Sequence, residues 1–166
     1  MNDVLRNRLI AAASAGALAI AGVLVQWHEG RRLTAYTDPV GVLTVCDGIT
    51  GSDVIRGKTY SGAECDKLGA KHLAIAEHGA RRQLAFYADY GKWRQAALID
   101  FTFNLGEAKL SGSTMRAMFN EGDEAGGCRQ LALWVKGRVR GRLVTLNGLV
   151  GRRADEMDLC MNWDRA

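Results

Sequence analysis

Apolar positions fall into two patterns along this chain. Leu9 to Val25 is a run of 17 residues without a charge. Beyond it the apolar residues become periodic. Leu33 to Thr37 and Val42 to Cys46 read as short strands joined by a turn at Asp38-Pro39-Val40-Gly41. Asp47-Gly48 is a second hairpin-type turn, and Lys58 to Tyr60 can supply a third strand. Helices follow. Ser61 with Glu64 is a capping box that starts a helix running to about Glu77. Ala97, Leu98, Phe101 and Leu105 share one face of a helix over Trp93 to Leu105, with Gly106 placed to end it. Ser113 to Phe119 reads as a short helix, and Cys128, Leu131, Ala132 and Val135 mark another. Arg152 to Met161 forms the last, with Met157, Cys160 and Met161 on one side. The expected class is α+β, mostly helical, with a small early antiparallel sheet behind an apolar N-terminal segment.

That segment is short for a membrane span. As a helix its length is about 26 Å, against a bilayer core of about 30 Å. Ten of its 17 residues are Ala, Gly or Ser and seven are Leu, Ile or Val, so insertion should be weak. Arg6 and Arg8 precede it, which favours a cytoplasmic N-terminus. A cleaved signal peptide is one reading, with Ala17-Leu18-Ala19 or Ala19-Ile20-Ala21 as the cleavage site. A permanent anchor, a weak reversible anchor and a buried alanine-rich helix are the others. Length and alanine content fit the weak anchor best, dividing the chain into residues 1–26 and 27–166.

Composition narrows the picture further. The chain has 166 residues, 48% hydrophobic and 24% charged, which fits a globular protein and excludes wholesale disorder. Cys46, Cys65, Cys128 and Cys160 all lie beyond the apolar run, and no C-x-x-C spacing suggests zinc. With an export signal upstream, disulfides are expected. Of three pairings, the sequential one closes two local loops, each worth roughly 3–4 kcal/mol by chain entropy. Net charge is +4, with Lys136, Arg138, Arg140, Arg142, Arg152 and Arg153 clustered late. Such a cluster reads as a solvated face attracted to an anionic cell envelope. No motif supports nucleic-acid binding. His72 and His78 lie on an expected helix without ligand partners, and no metal or other cofactor is expected.

The stretch Glu29 to Thr44 carries the chemistry. Glu29 follows the helix-compatible residues Val23 to His28, and Gly30 can end that helix. Asp38 sits in the first turn of the sheet. One carboxyl at a helix end and another at a hairpin tip can face each other across a cleft, as glycoside hydrolysis requires. Thr44, on the second strand, can hydrogen-bond a water. The pattern Glu29-Gly30…Tyr36-x-Asp38-x-x-Gly41-Val42-x-Thr44-Val45-Cys46-x-Gly48-x-Thr50-Gly51 resembles the active-site segment of bacteriophage lysozymes, the endolysins of glycoside hydrolase family 24. Phe101-Thr102-Phe103-Asn104-Leu105-Gly106 followed by Ser113-Thr114 resembles a second block of that family. Gly148-Leu149-x-x-Arg152-Arg153-x-x-Glu156-x-x-Leu159-Cys160 resembles a third.

The resemblance implies a lysozyme-like fold and a muramidase that cuts the β-1,4 bond between N-acetylmuramic acid and N-acetylglucosamine of peptidoglycan. It implies Glu29 as general acid, Asp38 as the second catalytic carboxylate and Thr44 as the residue that positions water. Arg152 or Arg153, with Arg153 preferred, matches an arginine near the glutamate. Phe103 and Ser113 match positions that touch glycan, beside their simpler roles in core packing and helix capping. A subclass with a weak, uncleaved signal-anchor resembles this chain at its N-terminus. It implies a monomer at the host inner membrane, facing the periplasm and then released into it. Export with a cleaved signal peptide and a non-catalytic peptidoglycan-binding protein are the alternatives.

Overall fold

A computed structural model of the chain describes residues 1–38, 41–139 and 141–163. Pro39 and Val40 of the first turn and Arg140 of the basic cluster lie outside the described residues. The apolar run does not form one rod. Helix α1 (Asp3–Ala12) and helix α2 (Ala17–Glu29) are separated by a turn of 3-10 helix over Ala13–Ala15. Gly16 makes the break with φ 89°, a left-handed conformation that disfavours side chains. Asn2 caps α1 by accepting the backbone N–H groups of Val4 and Leu5. Leu5, Leu9, Ile20, Ala21, Leu24 and Val25 are buried in the main core. No helix among the described residues is long and apolar enough to cross a membrane. The 26/27 boundary falls inside α2.

Strands β1 (Arg32–Thr37), β2 (Leu43–Cys46) and β3 (Ile49–Thr50) form an antiparallel sheet in that order. Tyr36 pairs with Thr44, and Thr44 with Thr50. The third strand is thus Ile49–Thr50 rather than Lys58–Tyr60. The latter stretch still meets β1, through a Thr34–Thr59 bridge and a Tyr60 N–H that donates to the Leu33 carbonyl at 2.8 Å. The short Asp47-Gly48 turn brings Ile49 back beside β2 before the chain can reach residue 58.

Helix α3 (Gly62–Gln83) has the expected capping box, with Ser61 and Glu64 bonded reciprocally. It runs past Glu77 because Ala76, Gly79 and Ala80 continue its buried face. Helix α4 (Lys92–Leu105) is the central element, with every residue from Ala96 to Thr102 buried. Helices α5 (Glu107–Ser111), α6 (Thr114–Asn120) and α7 (Glu124–Gln130) follow. The helix expected over Cys128 to Val135 is replaced by α7 and a 3-10 turn at Leu131–Leu133. Its start is fixed by the Asp123 cap, which accepts the Gly126 N–H at 2.8 Å. A hairpin of β4 (Lys136–Val139) and β5 (Arg142–Thr145) precedes α8 (Asn147–Asn162).

Two hydrophobic clusters result. The larger joins the helices; the smaller lies under the sheet around Val45, Ile49, Tyr60 and Cys65, and Phe103 packs against both. Disulfides join Cys46 to Cys65, tying β2 to α3, and Cys128 to Cys160, tying α7 to α8.

Candidate active site

Glu29 is the last residue of α2, and Gly30 follows it with φ 67°. Turning the chain at once at Gly30 leaves the Glu29 side chain at a junction of four elements. Arg152 of α8 donates to its Oε1, and Asn104 of α4 lies 3.5 Å from the same oxygen. Gly48, in the β2–β3 turn, is the third contact. A Cβ there would stand 2.9 Å from the Glu29 carboxyl, and Gly48 also has φ 79°, so no other residue fits without strain. The Glu29 side chain is 27% exposed, whereas its partner Arg152 is 3% exposed.

Behind Arg152 lies a buried charge network. Arg152 donates Nε and Nη2 to Asp100, at 2.9 and 2.7 Å, leaving Nη1 for Glu29. This two-pronged grip fixes the plane of the guanidinium. Arg153 donates to Asn104 Oδ1 at 2.7 Å and pairs with Glu156 at 3.0 Å. Burial works against the Asp100 anion, but the Arg152 charge and its hydrogen bonds outweigh it and hold that carboxyl below the usual range. Burial pushes Glu156 the other way, well above the usual carboxylate range, and the Asp100 charge adds to the effect.

Asp38 follows β1 and anchors the first turn. Its Oδ1 accepts the Val42 N–H at 2.8 Å, and its own N–H donates to the Val42 carbonyl at 2.9 Å. Thr44 is buried on β2, with its hydroxyl donating to the Val42 carbonyl at 3.2 Å. Asp38 and Thr44 thus share the β1–β2 hairpin, and Glu29 meets the next turn of the same sheet. One cavity is lined by His28, Glu29, Asn104, Leu146 and Arg152 among others. A second, lined by Gly48, Thr50, Thr102 and Phe103 among others, opens beside the neighbouring turn.

The sequence-predicted residues are not all gathered here. Arg152 reaches Glu29, and Arg153, the preferred candidate, instead serves Asn104 and Glu156. Helical geometry turns adjacent residues about 100° apart, so only one of the two can face α2. Both arginines are buried, which corrects their assignment to a solvated basic face; the carboxylates of Asp100 and Glu156 compensate them. Phe103 is half-buried between the two hydrophobic clusters. Ser113 caps α6, accepting the Arg116 N–H at 3.0 Å and donating to the Leu110 carbonyl at 2.7 Å. His72 pairs with Asp53 at 3.0 Å. Asp100, Asn104 and Glu156 have no role assigned from sequence, and Gly48 only that of a turn residue. Asp100 carried the clearest signal, a lone acid within the apolar run Ala96-Ala97-Leu98-Ile99-Asp100-Phe101. Among the described residues no three His, Cys, Asp or Glu side chains gather to hold a metal ion.

The phage lysozyme family model matches residues 26–156, from the turn before Glu29 to Glu156. The chain belongs to the phage lysozyme family. This lysozyme is accordingly a glycoside hydrolase. It is 39% identical to the SAR-endolysin of Bacteriophage PS119 over 169 residues, covering 97% of this chain and 96% of that protein. It is 36% identical to the SAR-endolysin of Enterobacteria phage P21 over 169 residues, covering 97% of this chain and 98% of that protein. Among solved structures it resembles the active form of the P1 phage endolysin Lyz, with a TM-score of 0.73 and 25% identity over 85% of this chain and 83% of that one. The muramidase domain of SpmX from Asticaccaulis excentricus shares the fold, with a TM-score of 0.77 and 22% identity, covering 86% of this lysozyme and 95% of that chain.

Proposed function

We propose that this lysozyme is an endolysin that hydrolyses the β-1,4 bond between N-acetylmuramic acid and N-acetylglucosamine of peptidoglycan, with Glu29 as general acid. The observation that carries this reading is a partly exposed carboxyl at the end of α2, gripped from behind by the buried Arg152. Glu29 donates its proton to the glycosidic oxygen as the C–O bond breaks. Arg152 then stabilises the carboxylate that forms. Asp38, on the hairpin, stays ionised and supports the positive charge developing on the sugar ring. Thr44 orients the water that attacks the anomeric carbon, and Asp38 takes up the proton that this water gives up. Phe103 and Ser113 line the glycan path, and the reaction calls for no metal or other cofactor.

Residues 1–26 serve a second state. In it, the apolar run Leu9 to Val25 lies in the host inner membrane with the remainder in the periplasm; after release it folds into α1 and α2. The burial of Leu9, Ile20 and Leu24 in the helical core supports this reading, since the same side chains satisfy either environment. The relatives' name, SAR-endolysin, supports it as well. The released enzyme acts as a monomer in the periplasm. The chemical reading is tested by turbidity loss of permeabilised Gram-negative cells. Glu29→Gln should reduce the rate at least 100-fold, on the order expected for a lost general acid. Equal lysis by both proteins would refute Glu29 as the acid.

A further inference from the structure

The network behind Glu29 contains two cations, Arg152 and Arg153, and two carboxyls, Asp100 and Glu156, all with side chains no more than 3% exposed. The two carboxyls are not equivalent. Asp100 receives two hydrogen bonds from Arg152 at 2.9 and 2.7 Å. Glu156 stands 3.6 Å from Arg152 and 3.0 Å from Arg153 without a well-aligned hydrogen bond to either, and its carboxyl lies against that of Asp100. A buried anion without hydrogen bonds is costly; a neutral acid is less so. With Glu156 neutral, Arg152, Arg153 and Asp100 sum to one positive charge, which an ionised Glu29 balances. With Glu156 ionised, the interior is already neutral and a Glu29 anion is in excess.

We propose that Asp100 is a positioning residue for the reaction. As the fixed anion behind Arg152, it sets how much of that guanidinium's charge reaches Glu29, while Glu156 is held as the neutral acid. Too little opposing charge would make Glu29 surrender its proton too early. Asp100 therefore keeps Glu29 protonated to higher pH than Arg152 alone would allow. The raised position of Glu156 and the lowered position of Asp100 agree with this division of roles.

The charged groups facing Asp100 and Glu156 are Arg152 and Arg153 of α8 and each other. Those around Glu29 are Arg152, Arg153 at longer range, the adjacent His28 with its partner Asp155, and Asp47 next to Gly48, which Arg31 already pairs.

The inference rests on Glu29 being the general acid, and the test separates the two claims. Purified full-length enzyme is assayed for kcat/KM against peptidoglycan sacculi across pH, as wild type, Asp100→Asn, Glu156→Gln and the double variant. Asp100→Asn should move the alkaline limb of the profile down by about one pH unit, the scale of one nearby charge. Glu156→Gln alone should leave that limb in place. In the Asp100→Asn background it should move it further, because there Glu156 can ionise and partly replace the missing anion. An unshifted or raised limb in Asp100→Asn, or an equal shift in Glu156→Gln alone, would overturn the proposal. A merely structural role would lower thermal stability in both amides and leave the limb where it is. Should Asp100→Asn fail to fold, infrared difference spectra of wild type and Glu156→Gln decide. The difference between the two should hold the carbonyl stretch of one protonated carboxyl at neutral pH, beyond any from Glu29, which both proteins carry; a difference spectrum without it would overturn the proposal. An active Glu29→Gln would remove the parent reading. An inactive Glu29→Gln with an unshifted Asp100→Asn profile would remove only the role of Asp100.

Discussion

Gly48 shows how closely the residues at the site constrain one another. Its backbone takes φ 79°, and the space where a Cβ would project is filled by the Glu29 carboxyl 2.9 Å away. Gly48→Ala should therefore displace Glu29 from Arg152 as well as strain the turn. The expected result is a loss of stability of about 1 kcal/mol or more from the left-handed conformation. Peptidoglycan cleavage should fall by more than this accounts for. Thermal melts and kcat/KM on the same preparation check both. Glu29, Asp38 and Thr44 stand out in the sequence because the segment around them resembles the phage lysozyme active-site block; their type and spacing alone would not single them out. Gly48 was visible there only as a turn residue. Its second role depends on α2 and the β2–β3 turn meeting in space, which no local pattern encodes. The choice between Arg152 and Arg153 was hidden for a related reason. Adjacent arginines look alike in sequence, and only the rotational phase of α8 decides which faces Glu29.

At the scale of elements, local chemistry was the reliable guide. The capping box at Ser61 and Glu64 marks the start of α3, and both hydrogen bonds are present at 3.2 and 2.8 Å. Glu64 also pairs with Lys58, and that hydrogen bond, followed by the bonds from Ser61, holds its carboxyl down at about 2 from the usual 4.5. A carboxyl lowered in the folded state adds stability above its unfolded pKa and loses it as the pH falls through the folded one. Thermal stability from this site should thus decline between about pH 4.5 and pH 2. Glu64→Gln should flatten that part of the melting-temperature profile; an identical slope would exclude the contribution. The β4–β5 hairpin was not legible, since Lys136 to Thr145 mixes basic and apolar residues with most side chains exposed on both faces. With no buried face there is no clean alternation to read. The extent of α3 is hidden because continued packing of Ala76, Gly79 and Ala80, rather than a terminating residue, sets its end, and α8 starts early, at Asn147, on residues that pack little.

For the whole molecule, the central claim is that one apolar segment serves two environments. Its composition is poor for a membrane and adequate for a core. Small residues let α2 approach its neighbours closely, and a Cβ on Gly22 would already touch Leu73 at 3.4 Å. Gly16 breaks the run into two helices at φ 89°, whereas a membrane span would favour one continuous helix. In the proposed two-state reading, both glycines favour the folded state over the inserted one. Periodicity alone could not separate a weak anchor from a buried helix, because a run apolar on every side suits either. The account is tested most directly by Gly16→Leu/Gly22→Leu in the full-length protein. Fractionation into membrane and soluble periplasm is followed over time alongside lysis. The added side chains raise hydropathy, strain the break at residue 16 and crowd Leu73. The wild type should pass from membrane to soluble fraction as lysis begins, and the double variant should stay in the membrane without lysis. Release and lysis of the double variant at the wild-type rate would contradict the account.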